Sequence, residues 1–116
     1  MAIAIKGTNA KERGTNAKDL LNKIIEGIRS GDIKECALCE DKDGRLLLTH
    51  TSDQWKGRAG FWPYVNDEAT LVFALGTLPE GVELERPLYA EYHSMLVAML
   101  LLHFLGHFSH IQVSPQ

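Results

Sequence analysis

The chain has 116 residues, enough for one domain with its own core and too few for two. Apolar residues make up 45% and charged residues 23% of it, and its net charge of −3 excludes a surface that attracts nucleic-acid backbones as a whole. Two cysteines, Cys36 and Cys39, exclude the disulfide framework of a secreted mini-protein, so a cytoplasmic address is expected.

The N-terminus is too short and too soon followed by Lys11, Glu12 and Arg13 to act as a secretory signal. Gly-Thr-Asn-Ala-Lys at 7–11 recurs at 14–18, and two polar copies without apolar residues cannot build a coiled-coil seam. Residues 1–15 therefore read as a flexible arm, within which Ile3 and Ile5 alternate as in a short edge strand. Residues 16–116 read as a single α+β domain.

Asn16 suits a helix N-cap, with Asp19 at the positive end of the helix dipole. Leu20, Leu21, Ile24, Ile25 and Ile28 follow at spacings of three and four, and Gly31 ends the helix. A hairpin comes next: a strand over 33–40, a turn at Asp41-Lys42-Asp43-Gly44, and a return strand over 45–50. Alternation along the first strand puts Cys36 and Cys39 on opposite faces.

Residues 51–69 read as a long connection that carries both tryptophans. A strand is expected over 70–76 and a turn over 77–82. A helix from Pro87 to about Leu105 and a last strand over 108–114 complete the chain. The order α-β-β-β-α-β implies a small antiparallel or mixed sheet of about four strands with two helices. From Glu85 onward only Glu85, Arg86 and Glu91 are charged, which implies a central C-terminal helix enclosed on both sides. One face of it carries Leu88, Tyr92, Met95, Met99 and Leu102. The apolar run 95–102 is shorter than the roughly 20 residues of a membrane span, so no membrane contact is expected. A homodimer formed through the helix or the sheet would bury what one subunit leaves open.

Two groups of residues offer chemistry. Trp55, Lys56, Arg58, Phe61, Trp62 and Tyr64 combine aromatic rings with cations. That composition marks protein-binding hot spots, and it also suits the stacking of a nucleotide or single-stranded nucleic acid. Cys36, Cys39, His103 and His107 have the two-residue and three-residue gaps of a zinc site, and they support the alternative of a zinc protein or metal-dependent enzyme. Against it, no acid lies within the last 25 positions to orient an imidazole, so Asp41, Asp43 or Asp53 would have to approach in space. Walker, Rossmann, Gly-x-Ser-x-Gly and His-Glu-x-x-His patterns are absent. The resulting expectation is a non-enzymatic, homodimeric interaction module without a resident cofactor, holding an unidentified partner protein through residues 55–64.

Overall fold

The computed structural model describes residues 2–8, 16–78 and 83–114, which form a single α+β domain. In chain order these are strand β1 (Ala2–Lys6), helix α1 (Ala17–Ser30), strands β2 (Cys36–Glu40), β3 (Leu46–His50), β4 (Ala59–Asp67) and β5 (Thr70–Thr77), helix α2 (Arg86–Phe104), a single 3₁₀ turn at Leu105–His107, and strand β6 (His110–Ser114).

The strands form one six-stranded antiparallel sheet in the order β2-β3-β4-β5-β1-β6. This corrects the expected sheet of about four strands in the order α-β-β-β-α-β. The two additional strands are β1 and β4. Every residue of β1 is paired with both β5 and β6, Ile3 lying between Phe73 and Val113 and Ile5 between Leu71 and Ile111. Residues 2–6 of the expected arm are thus interior to the sheet. Residues 9–15, which hold part of each copy of the repeated pentapeptide, lie outside the described residues.

Helix α1 begins and ends where its caps dictate. The Asn16 side chain accepts a hydrogen bond from the Asp19 N–H at 2.8 Å, and Gly31 takes the left-handed conformation at φ 89°. Both sides of the 9–15 segment are tied to the β4–β5 turn. The Thr8 N–H donates to the Ala69 carbonyl at 3.2 Å, and the Ala17 N–H donates to the Glu68 carbonyl at 2.8 Å.

Both helices pack on the same face of the sheet. Ala17, Leu20 and Ile24 of α1 and Leu88, Tyr92, Met95, Leu96, Met99 and Leu100 of α2 join Ile3, Ile5, Leu48, Phe61, Leu71 and Phe73 in one buried cluster. On the opposite face Leu47 and Val72 are buried outside that cluster. There the Trp62 indole lies on Gly76, where a Cβ would stand only 3.0 Å from the ring.

The C-terminal helix is not central and not enclosed. It shares the helical layer with α1, and its outward side is open at Leu101 (47% exposed), Leu102 (70%) and Leu105 (67%). Leu102, assigned from periodicity to the same face as Met95 and Met99, points away from them. The other four residues of that face, Leu88, Tyr92, Met95 and Met99, are buried, and His93, Leu96, Leu100 and Phe104 complete the inward side. The C-terminal part of the helix is apolar all round, which leaves periodicity no contrast from which to place Leu102.

Candidate protein-binding groove

The segment 51–69 is not one loop. Residues 53–57 form a turn, Ala59–Asp67 is strand β4, paired along its length with β5, and 68–69 form the β4–β5 turn. Its aromatic and cationic residues separate into three environments.

Trp55 and Lys56 belong to the turn, and Arg58 follows it. The Trp55 carbonyl accepts a hydrogen bond from the buried Tyr92 hydroxyl. The Arg58 guanidinium lies over the Trp55 ring at 5.3 Å and reaches Glu85 at 4.0 Å, while Lys56 pairs with Asp53 at 3.2 Å. Both cations are therefore engaged within the chain. Phe61 is fully buried in the main core, with its ring centroid 6.3 Å from those of Phe73 and Tyr92 and 5.5 Å from that of His93.

Trp62 and Tyr64 form the third environment. The Trp62 indole N–H donates to Asp41 Oδ2 at 2.9 Å. Asp41 also receives the backbone N–H groups of Asp43 and Arg45 and the Arg45 Nε, each at 2.9 Å. Burial alone would push the Asp41 carboxyl up. The hydrogen bonds from Arg45, Trp62 and Asp43 overcome that and hold it down to about 2. The β2–β3 turn is thereby locked to the middle of β4.

Beyond Trp62 the two strands part. The β3–β4 ladder registers at Leu48 and Phe61; Pro63 has no N–H to extend it, and β3 begins only at Leu46. Among the described residues, Tyr64–Asp67 pair with β5 alone, so their other edge carries no strand. Tyr64 and Val65 are 51% and 42% exposed there. Leu21 and Ile25 of α1 lie behind the gap. Together with Arg45, Leu46, Trp62, Pro63 and Tyr64 they line a groove of about 460 Å³ that is mostly apolar.

Sequence reasoning identified Trp62 and Tyr64 but missed Leu21, Ile25, Leu46 and Pro63, the other apolar side of the groove. Leu21 and Ile25, one turn apart on α1, carried a signal in the unusual width of that helix's apolar stripe. They read as core because nothing local announces the gap above them.

The four residues with zinc-like spacing do not converge. Cys36 is buried on the helical side of edge strand β2, and its thiol is pushed up to about 12 by burial and then by the neighbouring Glu35. Cys39, three residues on, projects from the other face, with its thiol raised by burial and by Asp41. Among the described residues no group of three or more His, Cys, Asp or Glu side chains is arranged to hold a metal ion.

His103 meets a carboxylate that none of the expected aspartates supplies: its Nε2 lies 3.1 Å from both Glu35 oxygens. Burial pushes the Glu35 carboxyl up, but its hydrogen bonds with backbone N–H groups and His103 leave it below the usual range. His103 also borders a cleft of about 350 Å³ between the ends of α1 and α2. The one hydroxyl there, Ser30 Oγ, donates to the Gly27 carbonyl at 3.1 Å and offers no activated nucleophile.

His93 is buried on α2, with Nδ1 on the Tyr89 carbonyl at 2.9 Å and no partner at Nε2 among the described residues. Burial lowers its basicity below the ordinary value of 6.5. Above that pH the ring is neutral whether the chain is folded or unfolded and contributes nothing. Below it the unfolded chain takes up a proton that the folded chain resists, so stability falls by up to about 1.4 kcal/mol per pH unit. Urea titrations between pH 7 and 5 should show a shallower loss for His93→Phe than for the wild type. Parallel losses would contradict this assignment.

No protein-family model, curated protein or solved structure matches this chain.

Proposed function

We propose that the protein is a non-enzymatic interaction module, homodimeric, that holds an extended apolar segment of a partner protein in the groove between α1 and the free edge of β4. The observation that carries this reading is the coincidence of three features within Pro63–Asp67. These are backbone without a neighbouring strand on one side among the described residues, two exposed apolar side chains, and an adjoining groove lined by Leu21, Ile25, Leu46 and Trp62. An extended segment laid along such an edge gains main-chain hydrogen bonds, and alternate side chains gain a pocket. Arg45 stands at one end of the groove and already pairs with Asp41 and Asp43. Apolar contact, rather than a charge, therefore favours the partner.

Affinity capture of soluble partners with quantitative mass spectrometry tests the reading. Tyr64→Ala and Ile25→Glu, once shown to melt cooperatively, are expected to lose the wild-type partner by about tenfold or more, and Arg58→Ala to retain it. Retention by both groove variants, or loss with Arg58→Ala alone, would refute it.

A further inference from the structure

Strand β4 fixes where its peptide groups point, and their direction selects what the open edge beyond Trp62 can hold. The Arg58 carbonyl accepts from the Leu78 N–H at 3.0 Å, on the β5 side. Ala59 faces the other way: its N–H donates to the Tyr92 hydroxyl at 3.3 Å, and its carbonyl accepts from Thr49 Oγ1 at 2.9 Å. Peptide groups alternate along a paired strand, and the β4–β5 register is regular from Ala59 to Val65. Those of Phe61, Pro63 and Val65 therefore also turn away from β5. Pro63 agrees independently, because a proline fits a sheet only where the ladder needs no hydrogen from its nitrogen.

The β3–β4 ladder registers at Leu48 and Phe61, so among the described residues Val65 meets no strand on this side. Pro63 has no N–H. From Pro63 to Val65, the edge thus offers one donor, the Val65 N–H, with the Val65 carbonyl beside it. An apolar groove alone would admit any greasy ligand; a main-chain N–H and C=O on its rim favour another main chain. An antiparallel strand closes both bonds with a single residue, whereas a parallel one needs the residues on either side. The gap is short, bounded by Leu46 and by the register shift that follows Val65, and it suits the first arrangement.

We propose that the occupant of the groove is a strand of the partner protein that pairs antiparallel with β4 at Val65. One residue of it exchanges both main-chain hydrogen bonds with Val65. Phe61 faces the helices, so Val65 and the residue opposite it face that side too. The paired residue is therefore apolar, lies against Leu21 and Ile25 of α1, and is not proline. The residues before and after it turn their N–H groups outward and their side chains toward the Tyr64 side. This pairing rests on the groove reading above.

A displayed library of random octapeptides, selected on the full-length protein, supplies the probe, and the enriched peptide is then N-methylated one residue at a time. Methylation at one apolar residue is expected to weaken binding by about tenfold or more, and methylation on either side of it to have little effect. Val65→Pro should cause a similar loss, and Val65→Thr should retain the peptide. The methyl scan uses the wild-type protein, so it decides the matter even if Val65→Pro fails to fold. A peptide lost with Ile25→Glu but tolerant of methylation at every position would overturn the pairing and leave the groove reading standing. A peptide indifferent to Ile25→Glu and Tyr64→Ala would count against the groove reading itself. Enrichment of no peptide, or a Val65 amide whose exchange slows as the protein alone is concentrated, would also overturn the pairing, the latter by assigning the edge to a second copy.

Discussion

Phe61→Ala is expected to cost about 3–5 kcal/mol of folding stability, the range for truncating a large aromatic core residue. In a chain of this length that lowers the melting temperature by roughly 12–20 °C. Phe61 is fully buried and stands edge-on to Phe73 and at an angle to Tyr92, so its removal opens a void between the sheet and α2 that neither ring can fill by turning. Tyr64→Ala, three residues along the same strand, is expected to change stability by no more than about 0.5 kcal/mol because that ring is half exposed. Urea denaturation of the two variants separates the aromatic residues that build the domain from those left for a partner. Equal losses would mean that β4 does not alternate as described.

Tyr92→Phe is the second large effect, about 1–3 kcal/mol for a single oxygen. The Tyr92 hydroxyl donates to the Trp55 carbonyl, accepts from the Ala59 N–H at 3.3 Å and lies 3.0 Å from Thr49 Oγ1. Thr49 Oγ1 donates in turn to the Ala59 carbonyl at 2.9 Å and accepts from the Gly57 N–H at 3.2 Å. Removing the hydroxyl leaves the buried Ala59 N–H without that partner, which costs about 1–3 kcal/mol, while the part-buried Trp55 carbonyl keeps the Arg58 N–H at 3.3 Å. The 53–57 turn would lose its anchor to α2, and Trp55 fluorescence would move toward that of an exposed indole. Because Thr49 belongs to the same network, Tyr92→Phe/Thr49→Val should lose less than the sum of the single losses. Additive losses would show that the two hydroxyls act independently.

These two residues also show what the sequence made legible. Helix α1, with Asn16 and Gly31 at its ends, is written in local signals that need no tertiary context. So is the β2–β3 hairpin, with its aspartates and Gly44 between apolar runs. Strand β4 is not. Gly60 and Pro63 are loop-like residues, and they belong to a strand only because Gly60 faces the crowded Leu47 side chain and Pro63 falls where β3 has ended. Strand β1 was readable as alternation at Ile3 and Ile5, but nothing in five residues reveals that β5 and β6 will flank it. For the C-terminal helix, the shortage of charge implied burial on every side. What it marks is burial on one side and an unusually apolar open surface on the other.

The site divides along the same line. Aromatic residues in 55–64 were legible as a cluster, yet their division among turn, core and groove follows from strand alternation and from where β3 stops. The cysteines and histidines matched a spacing, while convergence is a property of the fold. Cys36 and Cys39 fail it because strand positions three apart face opposite sides. His103 instead finds Glu35, which is remote in sequence and which no motif connects to it.

Hydrogen–deuterium exchange on the purified protein, alone and with a captured partner, tests most directly whether the groove is where the partner is held. The account predicts new protection confined to Trp62–Asp67 and to the Leu21–Ile25 turn of α1, with exchange at residues 53–58 unchanged. Protection centred on residues 53–58, with Tyr64–Asp67 exchanging as freely as in the unbound protein, would contradict it.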